Sequence, residues 1–559
     1  MKNNRVFVLF AIIIAALVMC GCNDTPGDND TPDNNENLPN QPDPDENLSD
    51  QCILTSFKLE SRLNTNVYPT VNFAFDNSSS TYSAIYIKWI EGDNPDKLVA
   101  SFDFTGAKVL VNGVEQTSTV TVNSFAEDLI YTVVAEDGTR KDYTVSLACP
   151  QINTEVPVLA LQMNGAIGND YIKSKLDMYG AGYTTGLWTS SDDEVEIRLR
   201  GNSTRGLPKH PYRIKFPEKF SPLGLNHAQE KSWTLLANDC DKTLLRNVIA
   251  FGWSRVLFKK SDHDNNAIMF TPASRQVNLF LNKQYVGLYQ MSDHMERADG
   301  RIELESLKAA DEGNAAKITG GYLLETDVHG SSEPFHFISG KGIKITHKYP
   351  ADDDHATEQY TYVKNHLNMA ENVLFGSNFK DPVNGWRKYW DEKTAVDFMI
   401  VKELTWDPDG FTSIYFYKRR GDDRFFFGPI WDFDKAYNND KRRLNLYSDL
   451  MIHKSFSTDW GQKHWHARMW EDETFRSAVK ARWNAKKAEL LAASTKILQE
   501  EPEKMAKSIK ANFTRWNITE QALTDAATPP ANYKQGLDWL QHYVQSRYEF
   551  LDAEFNKAD

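Results

Sequence analysis

The chain has 559 residues, 41% of them hydrophobic and 12% aromatic, so it is globular and long enough for two or three domains. A formal net charge of −14 excludes general nucleic-acid binding, although a local basic cluster can still hold phosphates. The 14 Trp point to a dense core or to carbohydrate contact.

Lys2 and Arg5 precede an apolar run from Val6 to Met19, and Gly21-Cys22 follows it. That run is too short to span a bilayer in the mature chain and reads as a secretory leader. A small residue directly before a cysteine is what lipoprotein signals carry, so Cys22 is the expected lipidated N-terminus of a 1–22 signal peptide. A simple cleaved signal and an uncleaved anchor are the alternatives. The expected destination is the outer membrane or cell surface, reached by the secretory pathway and held by the lipid. Residues 23–50 are Asn, Asp, Pro and Glu with almost nothing to bury, which predicts a disordered acidic tether. No EF-type spacing turns those acids into a calcium site.

Residues 51–150 alternate apolar and polar positions in six runs, with Asn112-Gly113 and Asp137-Gly138 as hairpin turns. An immunoglobulin-like sandwich acting as a spacer is expected. Cys52 and Cys149 bracket it, and in an oxidising compartment they are expected to form a disulfide. Cys240, in LLANDCDKTLL, reads as a buried small hydrophobe.

From Glu155 the pattern changes. Strand-like runs, a turn at Gly201-Asn202-Ser203-Thr204 and one helix near Leu244–Trp253 fill the region to about residue 350, and helices dominate from Thr357 to the end. Residues 151–559 are therefore expected to be an α+β body with a strand-rich lobe, a helical lobe and a cleft between them. Pro502 is expected to open a helix after a run over Thr474–Gln499, and Leu537, Leu540, Val544, Tyr548, Leu551 and Phe555 stripe the last one.

Within the helical part, Val396, Met399, Ile400 and Leu404 share a helix face that stops at Asp407-Pro408-Asp409-Gly410. Two aromatic runs, Ile414–Tyr417 and Arg424–Phe427, make a hairpin that ends in Trp431-Asp432-Phe433-Asp434. Two acidic loops thus flank one hairpin, with 23 residues separating Asp409 from Asp432. Phosphoryl transfer needs cations on the phosphates, carboxylates for Mg²⁺ and an acceptor for the attacking hydroxyl's proton. Asp432, with Asp434, suits the metal, and Asp409 suits the base. The cations are expected from Arg198, Arg200, Lys209, Arg213 and Lys215 around the 201–204 turn, with Lys215 as the phosphate lysine and Arg246 as second choice. His464 and His466 lack further ligands and read as structural. No P-loop, zinc quartet, G-x-S-x-G, Rossmann or kinase-type Gly-rich fingerprint is present, and a two-carboxylate hydrolase stays open as the competing chemistry.

The blocks RLRGNSTRGLPKHPYRIKF, SWTLLANDCDKTLLRN, VNLFLNKQYVGLYQM, GGYLLETD and FGPIWDFDKAYNN together resemble the CotH family, the spore-coat-protein-H-like atypical protein kinases, over roughly residues 155–555. The resemblance implies a divergent kinase fold, ATP with Mg²⁺ or Mn²⁺ as cofactors, and Ser/Thr of exported protein substrates as acceptors. It matches Asp409 to the catalytic-loop acid and Asp432 to the metal-binding acid. It also sets Asp293 near the nucleotide base, and puts Ser413 where many kinases use Asn for a second metal. Arg205 replaces the Trp usual after GNST. The functional readings are an exported Ser/Thr kinase, a catalytically weak or inactive surface protein used in binding or adhesion, and a polysaccharide-active enzyme.

Overall fold

The computed structural model describes residues 48–557 except 65–66, 68–69, 87–96, 150–151, 154, 181, 226–227, 328–329, 331–332, 351–353, 411–412, 445–447 and 455–463. The expected leader, Cys22 and the tether up to residue 47 lie outside the described residues. Residues 1–49 and 50–559 separate into two units, and the second holds every strand and helix among the described residues. No helix among the described residues is long and apolar enough to cross a membrane.

The first hundred residues of this unit form two main sheets. One has Ile53–Leu59 between Val71–Asn72 and Ser101–Thr105; the other runs Ala74–Asp76, Thr81–Ile85, Arg140–Ala148, Leu129–Val134, Lys108–Val111 and Val114–Glu115. Phe57 and Phe102 of the first sheet share one core with Tyr82, Tyr131 and Tyr143 of the second. Asn112 and Gly113 turn the expected hairpin with φ of 50° and 79°, the left-handed pair such turns need. The strand Arg140–Ala148 pairs parallel with Thr81–Ile85, a pairing that alternation alone does not show.

The expected disulfide is absent: Cys52 and Cys149 both keep their thiols. The Cys52 Sγ lies 3.1 Å from the Thr139 carbonyl, which accepts from it just before the strand Arg140–Ala148 begins, whereas Cys149 follows that strand's far end. Ten residues of extended chain span roughly 33 Å, far beyond the Cα separation a disulfide tolerates. The two cysteines bracket the segment in sequence but sit at opposite ends of its longest strand.

The strand-rich lobe closes into a barrel of seven strands in the order Val158–Gln162, Ile172–Tyr179, Val195–Leu199, Tyr212–Phe220, Glu230–Leu236, Gln284–Asp293 and Ser274–Leu281. Ile197, Ile214, Trp233, Leu235 and Met291 point inward into one core. With a period of two, their neighbours Arg198, Arg213 and Thr234 lie in register on the outer face.

Helix α1 (Arg246–Leu257) follows the fifth barrel strand, and α2 (Thr357–Leu374) and α3 (Glu392–Thr405) open the helical lobe. Asp391 caps α3 by accepting from the Thr394 N–H at 2.9 Å, and every residue from Thr394 to Thr405 is buried. The apolar face foreseen on α3 is thus part of a helix buried on all sides. The hairpin is Ser413–Lys418 with Phe425–Phe427, and it joins Tyr322–Asp327, Lys344–Tyr349 and His336–Ile338 in a five-stranded sheet. Short helices α4 (Met451–Lys454) and α5 (Trp465–Met469) precede α6 (Glu473–Lys504), α7 (Ala506–Arg515) and α8 (Tyr533–Phe555). Pro502 does not open a helix; it lies in the last turn of α6, which runs on to Lys504. Asn153, in the connection from the first two sheets, accepts at Oδ1 from the Lys507 and Ser508 N–H groups, satisfying orphan donors in the first turn of α7.

Candidate functional site

Helix α3 ends at Trp406, whose left-handed φ of 42° breaks the helical path just before Pro408. Asp407 turns inward, 3% exposed, and its Oδ2 accepts from Lys402 Nζ at 3.0 Å. Its Oδ1 accepts from the Asp409 N–H at 3.2 Å, so a buried acid fixes the backbone of the acid two residues on. Gly410 must be glycine here: a Cβ would meet Met451 Cε at 2.4 Å and the Asp407 carbonyl at 2.8 Å. Asp409 itself is half-exposed, with Arg442 Nη2 at 3.1 Å from its Oδ1.

The second loop leaves the hairpin through Ile430 and Trp431. Asp432 has a φ of 66°, a left-handed conformation that is uncommon outside Gly, Asn and Asp. The Phe433 N–H donates to Asn247 Oδ1 of α1 at 2.9 Å, Asn247 Nδ2 donates to Asn238 Oδ1, and Asn238 Nδ2 donates to Gln290 Oε1 of the barrel. Lys402 Nζ lies 4.5 Å over the Phe433 ring while it holds Asp407, so one buried lysine supports both loops.

These loops open on a cleft of about 520 Å³ lined by Arg200, the 201–204 turn, Lys209, Asp407, Asp409, Ser413, Asp432 and Asp434 among others. The structure therefore brings Asp409, Asp432, Asp434, Ser413 and Arg200 together. Arg200 stands 5.7 Å over the Trp431 ring, and its charge opposes the rise that burial imposes on Asp432. Burial, then the charges of Asp432 and Asp241, push Asp434 up to about 8. Burial lifts Asp407 to about 6 against the pull of Lys402.

Lys209 also lines the cleft, whereas the other expected cations and the expected base-side acid fall elsewhere. Lys215 pairs with Glu196 at 3.5 Å and lies 5.6 Å over Tyr171, outside the cleft lining. It is on the outer barrel face as alternation requires, but four residues beyond Pro211 at the cleft wall, which is roughly 13 Å of strand. Arg213 also misses the lining and donates to Ser232 Oγ at 3.1 Å. Asp293 is fully buried, where its Oδ1 accepts from Arg301 Nε at 2.8 Å and its Oδ2 from the Ala273 N–H. A structural ion pair inside the barrel wall is not a contact to a nucleotide base. Arg246 is paired with Asp241 and donates to the Ala436 carbonyl, anchoring the second loop from behind. His466 is buried against Phe398 and Phe427.

Some cleft residues lie beyond the reach of motif reading. Glu325 accepts from Ser413 Oγ at 3.3 Å and pairs with Lys348 at 3.0 Å. Strand pairing alone brings Tyr322–Asp327 beside Ser413–Lys418. Lys209, by contrast, is among the expected cations; it is 2% exposed, donates from Nζ to the Leu288 carbonyl at 2.8 Å, and burial lowers it to about 7. Asn238 and Asn247 each border an apolar run, Leu235–Ala237 and Val248–Phe251, and that is the only signal they carry in the sequence.

The acids carry a measurable consequence. Asp434 and Asp407 both hold their protons more tightly than the ordinary carboxylate at 3.8. The native state then binds more protons than the unfolded chain between about pH 4 and about pH 8, so their contribution makes stability fall as pH rises through that window, by at most about 1.4 kcal/mol per pH unit per proton. Melting temperature followed from about pH 5 to about pH 8 is expected to show this fall, and Asp434→Asn to flatten its upper half. An identical profile in the variant would place the proton elsewhere.

A family model described as CotH kinase protein matches residues 197–551. No curated protein matches the chain. Four solved chains do match. One is from Bacteroides fragilis, 14% identical, covering 18% of this chain and 96% of that one with a TM-score of 0.14, a likeness too slight to carry an argument.

Proposed function

Because this chain belongs to the CotH kinase protein family, we propose that it transfers the γ-phosphoryl group of ATP to Ser or Thr hydroxyls of exported proteins. One observation carries the reading: two acidic loops that flank a hairpin line a single cleft with Arg200 in its wall. Asp409, at the turn after α3, accepts the proton of the attacking hydroxyl. Arg200 and the 201–204 turn, with Gly201 at a φ of 86°, take the phosphates.

The family implies ATP with a divalent metal. Among the described residues no three His, Cys, Asp or Glu are grouped to hold a metal. Asp432 and Asp434 nonetheless fit Mg²⁺ or Mn²⁺ delivered with a nucleotide, which takes one or two protein carboxylates and completes its shell with phosphate oxygens and water. Burial first, and then the crowded charges of Asp432 and Asp241, raise Asp434, and a bound cation would relieve both. When bound, the ion neutralises charge on the phosphate oxygens. Ser413 faces this region with its hydroxyl donated to Glu325, and that engagement favours a second reading, a catalytically weak or inactive surface protein used in binding or adhesion.

The rest of the chain serves placement in this proposal. Cys22 carries a lipid anchor at the outer membrane or cell surface after secretory export, 23–50 is a tether, and 51–150 is an immunoglobulin-like spacer beneath a 151–559 kinase body. The test is radiolabel transfer from γ-labelled ATP to surface proteins with Mn²⁺ present. Label on Ser or Thr that disappears in Asp409→Ala supports the reading. Partner binding indifferent to that substitution, with no label, supports the second.

A further inference from the structure

We infer that Arg442 is a positioning residue for Asp409: anchored on buried Asp440, it reaches from one acidic loop to set the carboxylate on the other. The inference rests on the phosphoryl-transfer reading. Asp440 is fully buried and holds Arg442 through three donors, the backbone N–H at 2.8 Å and Nε at 2.9 Å to Oδ1, and Nη2 at 2.7 Å to Oδ2. Asp440 is pinned in turn. It forms an isolated antiparallel bridge with Ala526, the Lys441 N–H donates to the Asp525 carbonyl, and the Ala527 N–H donates to the Asn439 carbonyl. The base of the arm is therefore rigid, and its tip is the Nη2 that touches Asp409 Oδ1 at 3.1 Å. A guanidinium's planar fork can grip one carboxylate and still present a donor to a second; an ammonium cannot hold that geometry.

The pair is half-exposed, 42% for Arg442 and 43% for Asp409. An ion pair so open to water adds little to folding, so its consequence lies in orientation. A proton acceptor works only within hydrogen-bond reach of the attacking hydroxyl. The backbone of Asp409 is fixed by Asp407, but its side chain sits at the tip of a turn. Arg442 supplies the constraint on that side chain from across the cleft.

The test compares Arg442→Gln, Arg442→Lys and Asp440→Asn with the wild-type full chain. Arg442→Gln is expected to lower kcat on the protein acceptor by about 10²-fold, the loss a misplaced catalytic group brings. Asp440→Asn is expected to lower it too, and Arg442→Lys to recover part of the loss. The KM for ATP and the thermal shift with ATP and Mn²⁺ should hold in all three. The side-chain carboxylate ¹³C resonance of Asp409, without nucleotide, should broaden in Arg442→Gln as the carboxylate gains freedom. Wild-type kcat in Arg442→Gln, or a loss of nucleotide binding that matches the loss of turnover, overturns the inference and leaves the phosphoryl-transfer reading standing. If the wild type transfers no phosphate, that reading is what fails, and the Asp409 carboxylate resonance then decides the positioning role, an unchanged line width in Arg442→Gln refuting it.

Discussion

Asp432→Asn is expected to abolish the thermal shift given by ATP with Mn²⁺ and to cut phosphoryl transfer on the order of 10²–10³-fold, the range seen when one preorganised electrostatic group is removed. The same variant should be no less stable without nucleotide. Asn tolerates the left-handed backbone at this position, whereas Ala at a φ of 66° would be strained. Asp432 also lifts Asp434 by like-charge repulsion, and Asp409 lifts Asp432 in the same way, so deleting one charge relaxes the set. Binding is lost while the empty protein is preserved, and that contrast separates a ligand role from a structural one. A nucleotide at a hundredfold its Kd stabilises the native state by about 2.7 kcal/mol, well within the reach of a melting curve. An Asp432→Asn protein that keeps the full shift would remove Asp432 from the metal site and leave the cleft without its principal carboxylate.

The order of elements around the cleft was legible because local chemistry writes it. Asp407-Pro408 ends a helix, an aromatic alternation makes a hairpin, and both carry their acids to one end. Asn112-Gly113 was legible for the same reason. What the sequence hid was distance through the fold. Lys215 and Arg200 share an outer barrel face, and alternation predicts that much, yet only the strand register tells that Glu196 lies opposite Lys215 and takes its charge. Arg200, at the end of its strand, keeps the place in the cleft. Asp293 closes a strand as expected, but its carboxylate meets Arg301 from a segment with no motif. The Cys52–Cys149 pairing failed likewise, because two ends of a segment are neighbours only if its strands bring them back. The hairpin's recruitment into a five-stranded sheet set Glu325 and Lys348 at the cleft, and no spacing foretells a strand that arrives from almost a hundred residues upstream.

Arg547→Ala is expected to be the most destabilising single substitution of a polar residue in the helical lobe, costing about 3–5 kcal/mol, the usual penalty for stranding one partner of a buried pair. Arg547 and Glu403 are both fully buried, with Nη2 and Oε2 2.7 Å apart. Arg547 also donates from Nε to the Glu403 carbonyl and from Nη1 to the Asp449 carbonyl. The Glu403 carboxylate accepts in addition from the Met451 and Ile452 N–H groups. Burial raises Glu403 above the ordinary 4.5 even with Arg547 beside it. Without the guanidinium the carboxylate can only take a proton, so the folded pKa climbs further. A raised carboxylate pKa favours the native state at low pH and penalises it as pH rises past the unfolded value. The deficit of Arg547→Ala should therefore be larger at about pH 8 than at about pH 5. Met451, held by Glu403, is the residue whose Cε crowds Gly410, so the same loss should loosen the turn that carries Asp409. Replacing both partners by apolar residues of similar volume, Arg547→Met with Glu403→Leu, should restore most of the melting temperature, since a buried pair exchanged whole is often neutral. Turnover should stay depressed in that double variant, because leucine cannot accept from Met451 and Ile452. A double variant that melts as low as Arg547→Ala would mean that the cost lies in packing rather than in stranded charge.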